Sequence, residues 1–237
     1  MPKLSAHQPH FFPWPSYFLK ILKSDIFVIL DDVQFRKNYF QNRCEIISID
    51  GNKKQWLTIP IKKKLSSKSK INEITFSEGF KVNDILSKLE SSYLNTPFYN
   101  QVYQDLKELL KDGEENLSDI NSKGILWCMK KLNIDTKVVF SSDINTFPEN
   151  NPTKKLINFC LHYNAESYLS GLGGRNYMEL FLFKENEINL IWHDSKNFLF
   201  KYNQTTSNFI SNLSILDMFF NIGYKESEKL LKIKQDY

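Results

Sequence analysis

An imidazole stands at the end of the first apolar stretch. In MPKLSAHQPHFFPWP, His7 closes residues 3–7 and precedes Gln8-Pro9. A histidine at the end of a buried strand can accept or give a proton near neutral pH. Asp31-Asp32 end a second apolar run, residues 26–30. Adjacent carboxylates repel unless one pairs with a cation, a metal or a substrate amine. Lysine is abundant, yet arginine occurs three times, at Arg36, Arg43 and Arg175. The planar fork of a retained arginine suits carboxylate or phosphate. Three of the eight glycines fall in residues 171–174, beside Arg175. Backbone amides between a strand and a helix can cradle a phosphate there. Together these groups suit the binding and deprotonation of a charged substrate. Each also has a plainer reading as a turn cap, a strand terminator or a tight turn. His193-Asp194 reads as a strand-end surface pair.

Such groups converge only if strands and helices bring them to one edge. Residues 3–7 and 26–30 read as strands, with a helix over 16–23 between them. Residues 44–49 and 55–59 flank Asp50-Gly51, a hairpin signal because glycine accepts positive φ. Val82, Ile85, Leu86, Leu89 and Tyr93 recur at helical spacing, a further helix starts near Pro97, and another covers 117–132. Strands over 137–140, 167–170 and 188–192 then alternate with helices opened by Asn151-Pro152 and centred near Tyr177. Helices over 211–221 and 227–234 close the chain, separated by Gly223. This alternation predicts an α/β fold with a mainly parallel, Rossmann-like sheet and flanking helices. The whole chain, 1–237, reads as one α/β domain, with residues 40–115 as a hairpin and helical insertion or cap. In an open parallel sheet, ligands bind beyond the carboxyl ends of the strands. His7, Asp31-Asp32, Ser141-Ser142-Asp143, residues 171–175 and His193-Asp194 all fall at such ends.

Composition narrows the function. With 41% hydrophobic and 14% aromatic residues, the 237-residue chain can bury a core. No apolar run reaches membrane-spanning length, and the amino terminus lacks a signal-peptide pattern. Cys44, Cys128 and Cys160 match no metal-ligand or disulfide spacing, which fits reduced thiols and a cytoplasmic location. The net charge of +4 is spread along the chain. Its densest basic stretch, Lys62-Lys63-Lys64, has no interleaved aromatics, so nucleic acid is not an expected partner. No Walker, G-x-S-x-G or complete G-x-G-x-x-G motif occurs.

Several segments carry a resemblance to a known family. His7-Gln8-Pro9-His10-Phe11-Phe12-Pro13-Trp14 comes first, then Asp31-Asp32-Val33-Gln34-Phe35-Arg36-Lys37-Asn38 and Asn42-Arg43. Trp56-Leu57-Thr58-Ile59-Pro60, Tyr168-Leu169-Ser170-Gly171, Tyr202-Asn203-Gln204 and Ser214-Ile215-Leu216-Asp217 follow in order. The chain resembles the WbqC-like family over nearly its whole length, with His10 where that family more often carries Asn. The resemblance implies a bacterial protein of surface-polysaccharide clusters, such as those for O-antigen, capsule or lipopolysaccharide.

The expected function is therefore a transferase that places an acyl or aminoacyl group on a nucleotide-linked amino sugar. His7, Asp31 and Asp32 are the candidate catalytic residues. Gln8, Trp14, Gln34, Lys37, Asn38, Asn42 and Arg43 are candidates for substrate binding. So are Trp56, Gly173, Gly174, Arg175, Tyr202 and Gln204. Arg43 or Arg175 would take phosphate or carboxylate, and Trp14, Phe11 or Trp56 would stack on a sugar or base. An acyl-CoA, a carrier-protein thioester or ATP would serve as co-substrate, with a nucleotide sugar as the small-molecule partner and no metal site. A second reading is nucleotidyl transfer or acyl-adenylate formation. His7-Gln8-Pro9-His10 has the H-x-x-H spacing of HIGH-type nucleotidylyltransferases, with Pro9 where they carry glycine. A third is a non-catalytic sugar- or protein-binding module.

Overall fold

The structure, a computed structural model, describes residues 2–62, 68–111, 113–144, 151–194, 200–206 and 208–235. Lys63 and Lys64 of the basic stretch lie outside the described residues. Strands β1 (Lys3–His7) and β2 (Ile26–Ile29) flank helix α1 (Pro15–Leu22). A hairpin of β3 (Arg43–Ile47) and β4 (Lys54–Thr58) follows, then helices α2 (Val82–Tyr93), α3 (Tyr99–Leu109) and α4 (Leu117–Lys131). The chain returns to the sheet with β5 (Lys137–Phe140), α5 (Pro152–His162), β6 (Ser167–Gly171), α6 (Leu180–Glu185) and β7 (Asn189–His193). Helix α7 (Ile215–Gln235) ends the described chain.

The five sheet strands lie in the order β5-β2-β1-β6-β7, and every neighbouring pair is parallel. The fold is thus α/β and doubly wound, as the alternation of elements predicts. Its strand order reverses at β1, so the crevice between the carboxyl ends of β1 and β6 is the topological switch point. Side-chain alternation divides the core between the two faces of the sheet. Leu4, Ala6 and Val28 pack with Leu156, Phe159 and Phe183 beneath α5 and α6. Phe27 and Ile29 pack on the other face with Phe18, Leu19 and Ile21 of α1 and with the β3–β4 hairpin and α2–α4.

Local signals set the boundaries. Asn116 caps α4 by accepting from the Asp119 amide at 3.0 Å. Asn151 caps α5 by accepting from Thr153 at 2.8 Å, with Pro152 at the first helical position. Gly51 takes φ +70° in the β3–β4 turn. The two closing helices merge into α7, which breaks at Gly223 (φ +73°). A Cβ there would lie 2.7 Å from the Phe98 ring, so this bend needs glycine twice over. Near Tyr177 the expected helix divides into a 3-10 turn, Leu172–Asn176, and the short α6. Glycine's poor helix propensity accounts for the division. Among the described residues, no helix is long and apolar enough to cross a membrane.

Candidate functional site

Helix α1 is buried on nearly every side, so its polar residues are buried too. Ser16 and Lys20 lie four residues apart on one face, and Ser24 extends the line beyond the helix end. Ser24 Oγ donates to Ser5 Oγ at 2.7 Å, and Lys20 Nζ donates to the Ala6 carbonyl at 2.8 Å. Ser16 Oγ meets His193 Nε2 at 3.3 Å. A polar seam therefore runs across the sheet from β1 to the end of β7. Ser5 pairs with Leu169, and Gly171 with His193. Extending the first pairing by two residues sets His7, Gly171 and His193 in one row.

His7 Nδ1 lies 3.0 Å from the Gln8 carbonyl. A carbonyl only accepts, so the neutral ring carries its proton on Nδ1 and leaves a lone pair on Nε2. The ring meets His10 edge-on at 4.6 Å and Tyr17 at 4.8 Å. Burial, with Lys20 adding to it, pushes His7 down to about 3. The same two causes bring His193 to about 4, and burial brings Lys20 to about 7. His10 has no exposed surface, and neither ring nitrogen has a hydrogen-bond partner among the described residues. Burial, then His7, Arg36 and Lys20, hold it well below the ordinary imidazole value. Ser16, Lys20 and the buried state of His193 were not legible as a site from the sequence. The signal that could have revealed them is the polar spacing of 16, 20 and 24 in an otherwise apolar helix.

Residues 7–14 and 36–43 converge. The Phe11 amide donates to the Phe40 carbonyl at 3.0 Å, and Gln41 Nε2 donates to Gln8 Oε1 at 3.1 Å. Asn121 Nδ2 bridges the Pro9 carbonyl (3.0 Å) and the Gln41 carbonyl (2.7 Å). A half-exposed aromatic row adjoins His10: Trp14 to Phe40 at 5.1 Å, and Phe40 to Trp56 at 5.6 Å. Arg43 lies 4.0 Å over Trp56 and donates to the Asn38 carbonyl. Its Nε is buried without a partner among the described residues. Asn42 Nδ2 donates to the Ile59 carbonyl at 2.9 Å. Lys37 is exposed, and Gln34, also exposed, forms a bridge with Lys70.

The remaining candidates have other partners. Asp31 accepts from Ser141 Oγ (2.9 Å), the Ser142 amide (3.0 Å) and Ser142 Oγ (2.6 Å). Asp32 binds Lys155 of α5 at 2.7 Å and accepts from Ser141 Oγ. Burial would raise the Asp32 carboxyl, but the hydrogen bonds from Lys155 and Ser141 outweigh it and hold it below its ordinary value. Gly173 is exposed and Gly174 buried, both in the 3-10 turn. A Cβ on Gly174 would fall 2.4 Å from Ser170 Oγ, so packing demands this glycine. Arg175 is exposed and lies 5.0 Å over Trp192, whose ring packs with the core beneath α6, on the face opposite His193. Tyr202 and Gln204 both donate to Asp217 Oδ2, at 2.7 and 2.8 Å, and tie the preceding segment to α7. Tyr202 and Trp14 nevertheless line one hollow beside Ser16. His193, expected at the surface, is buried.

Comparison with known proteins places this arrangement in context. The chain is 29% identical to the uncharacterized protein Rv1507c of Mycobacterium tuberculosis, over 99% of this chain and the whole length of that protein. No solved structure matches it. The family model described as the WbqC-like protein family matches residues 8–229, which include α1, the sheet strands after β1, the hairpin and α2–α4, and on that match the chain belongs to the WbqC-like protein family.

Proposed function

We propose that the protein is a transferase that places an acyl or aminoacyl group on the amine of a nucleotide-linked amino sugar for bacterial surface polysaccharide, in the cytoplasm. The observation that carries this reading is a neutral His7 at the switch-point end of β1, with Nδ1 tied to Gln8 and Nε2 bare. The half-exposed aromatic row from Trp14 to Trp56 beside it suits a sugar or base face. In the proposed reaction the sugar amine adds to the carbonyl of a thioester donor. Its ammonium proton passes to His7 Nε2, and the thiolate leaves as the amide forms. An imidazole near 3 is a weak base, and the nucleotide's diphosphate supplies the negative charge that raises it. Arg43 stands beside the row as an anion fork. This reading assigns Asp31 and Asp32 to the frame that holds the β2 and β5 ends.

Incubation with uridine-diphosphate amino sugars and acyl-CoA donors, followed by mass spectrometry, tests the reading. An acylated nucleotide sugar, lost in His7→Ala while the fold persists, is the expected result. Absence of product with every donor and acceptor would refute it. A second reading, acyl-adenylate or nucleotidyl transfer, draws on the edge-to-face His7–His10 contact between β1 and α1. ATP-dependent pyrophosphate exchange would select it over the first.

A further inference from the structure

A buried ammonium ordinarily meets a carboxylate. Lys20 is 5% exposed, and its hydrogen bond is to the Ala6 carbonyl, which leaves two ammonium hydrogens with no acceptor among the described residues. Among the described residues, Lys20 acts on His7 of β1, His10 in the following segment and His193 of β7; Arg36 also acts on His10, Lys23 also acts on His193, and the Tyr17 phenol of α1 packs against both His7 and His10. Among the described residues no carboxylate is a cause of the Lys20, His7 or His10 shifts, and Asp194 acts on His193. Independently, His10 is fully buried with both ring nitrogens unpartnered. Leaving buried donors unpaired is costly, and here several lie together without a negative charge.

We propose that Lys20 and His10 form the seat of a phosphoryl group, reached past the partly exposed His7 and Gln8 at the carboxyl end of β1. The ligand class is a phosphate or diphosphate, the charged part of a nucleotide-type substrate. An arriving dianion supplies the missing charge, turns His10 toward imidazolium and keeps Lys20 protonated, while His7 stays neutral with Nε2 open to the substrate amine. The location agrees with the rule that ligands of doubly wound sheets bind where strand order reverses. The proposal rests on this edge being the functional site but does not depend on acyl transfer.

Calorimetric titration of the full chain with inorganic phosphate, pyrophosphate and uridine diphosphate tests it near neutral pH, in two buffers of different ionisation enthalpy. Saturable binding with net proton uptake is expected, and Lys20→Met should weaken it about tenfold or more. Methionine matches lysine in length and removes a buried charge, so the variant keeps its fold. In the wild type, pyrophosphate should also move the His10 ring nitrogen shifts toward the imidazolium form. The proposal is overturned if none of the three ligands binds, if binding takes up no protons, or if Lys20→Met binds as tightly as the wild type. The readout is binding of the phosphoryl group alone, so it fails separately from the acyl-transfer assay.

Discussion

Two parts of the same sheet edge handle polar groups in opposite ways. At the ends of β2 and β5, Asp31 receives three hydrogen bonds from Ser141 and Ser142, and Asp32 is paired with Lys155. Both of these carboxylates have partners within the fold. At the end of β1, among the described residues, Lys20 has a lone carbonyl, His7 Nε2 has no hydrogen-bond partner and His10 has no hydrogen bond. A satisfied buried network fixes a structure, whereas one left unsatisfied costs stability unless something else completes it. On the proposed reading the contrast separates a frame from a site, although both lie beyond strand ends.

The largest effect that can break this comparison belongs to Asp31. Asp31→Ala removes the acceptor of three hydrogen bonds, among them that of the buried Ser141 hydroxyl. A loss of about 3 kcal/mol in urea unfolding is expected. A near-neutral change would dissolve the distinction.

Lys20→Met should act in the reverse sense, with a gain of about 1–2 kcal/mol at neutral pH. Lys20 falls from 10.5 to about 7 on folding, so between those values the unfolded chain binds more protons. Wild-type stability relative to Lys20→Met should therefore rise with pH across that window, by up to ~1.4 kcal/mol per pH unit. A gap that does not change with pH would mean that the amine is solvated.

Lys155→Met should cost least, about 1 kcal/mol, because the pair with Asp32 is only partly buried. The Asp32 carboxyl is lowered from 3.8 in the folded chain, so its contribution is present above that value and lost as pH falls through the folded one. Chemical denaturation of wild type and variant should converge in acid.

The fold was largely legible because periodicity reports burial. Residues 137–140 and 117–132 were read almost to the residue, since their apolar patterns match a strand between layers and a helix on one core. His7 was legible as a strand-end imidazole. The partners of Asp31 and Asp32 were not, because Ser141 lies 110 residues from Asp31 and Lys155 lies 123 from Asp32. Spacing in sequence carries no information on such pairs. The packing need at Gly174, whose missing Cβ clears Ser170 and Met178, is likewise invisible in the spacing of residues 171–174. Lys20 escaped notice because a lysine in a helix ordinarily reaches solvent, and only the depth of α1 keeps this one inside.

The claim that the β1 end holds desolvated, neutral imidazoles is tested most directly by an acid titration of the ring nitrogens by NMR. The account predicts that His7 keeps its Nδ1–H neutral form until pH approaches about 3 and His193 until about 4. Protonation of either ring near its ordinary 6.5 in the ligand-free protein would contradict it.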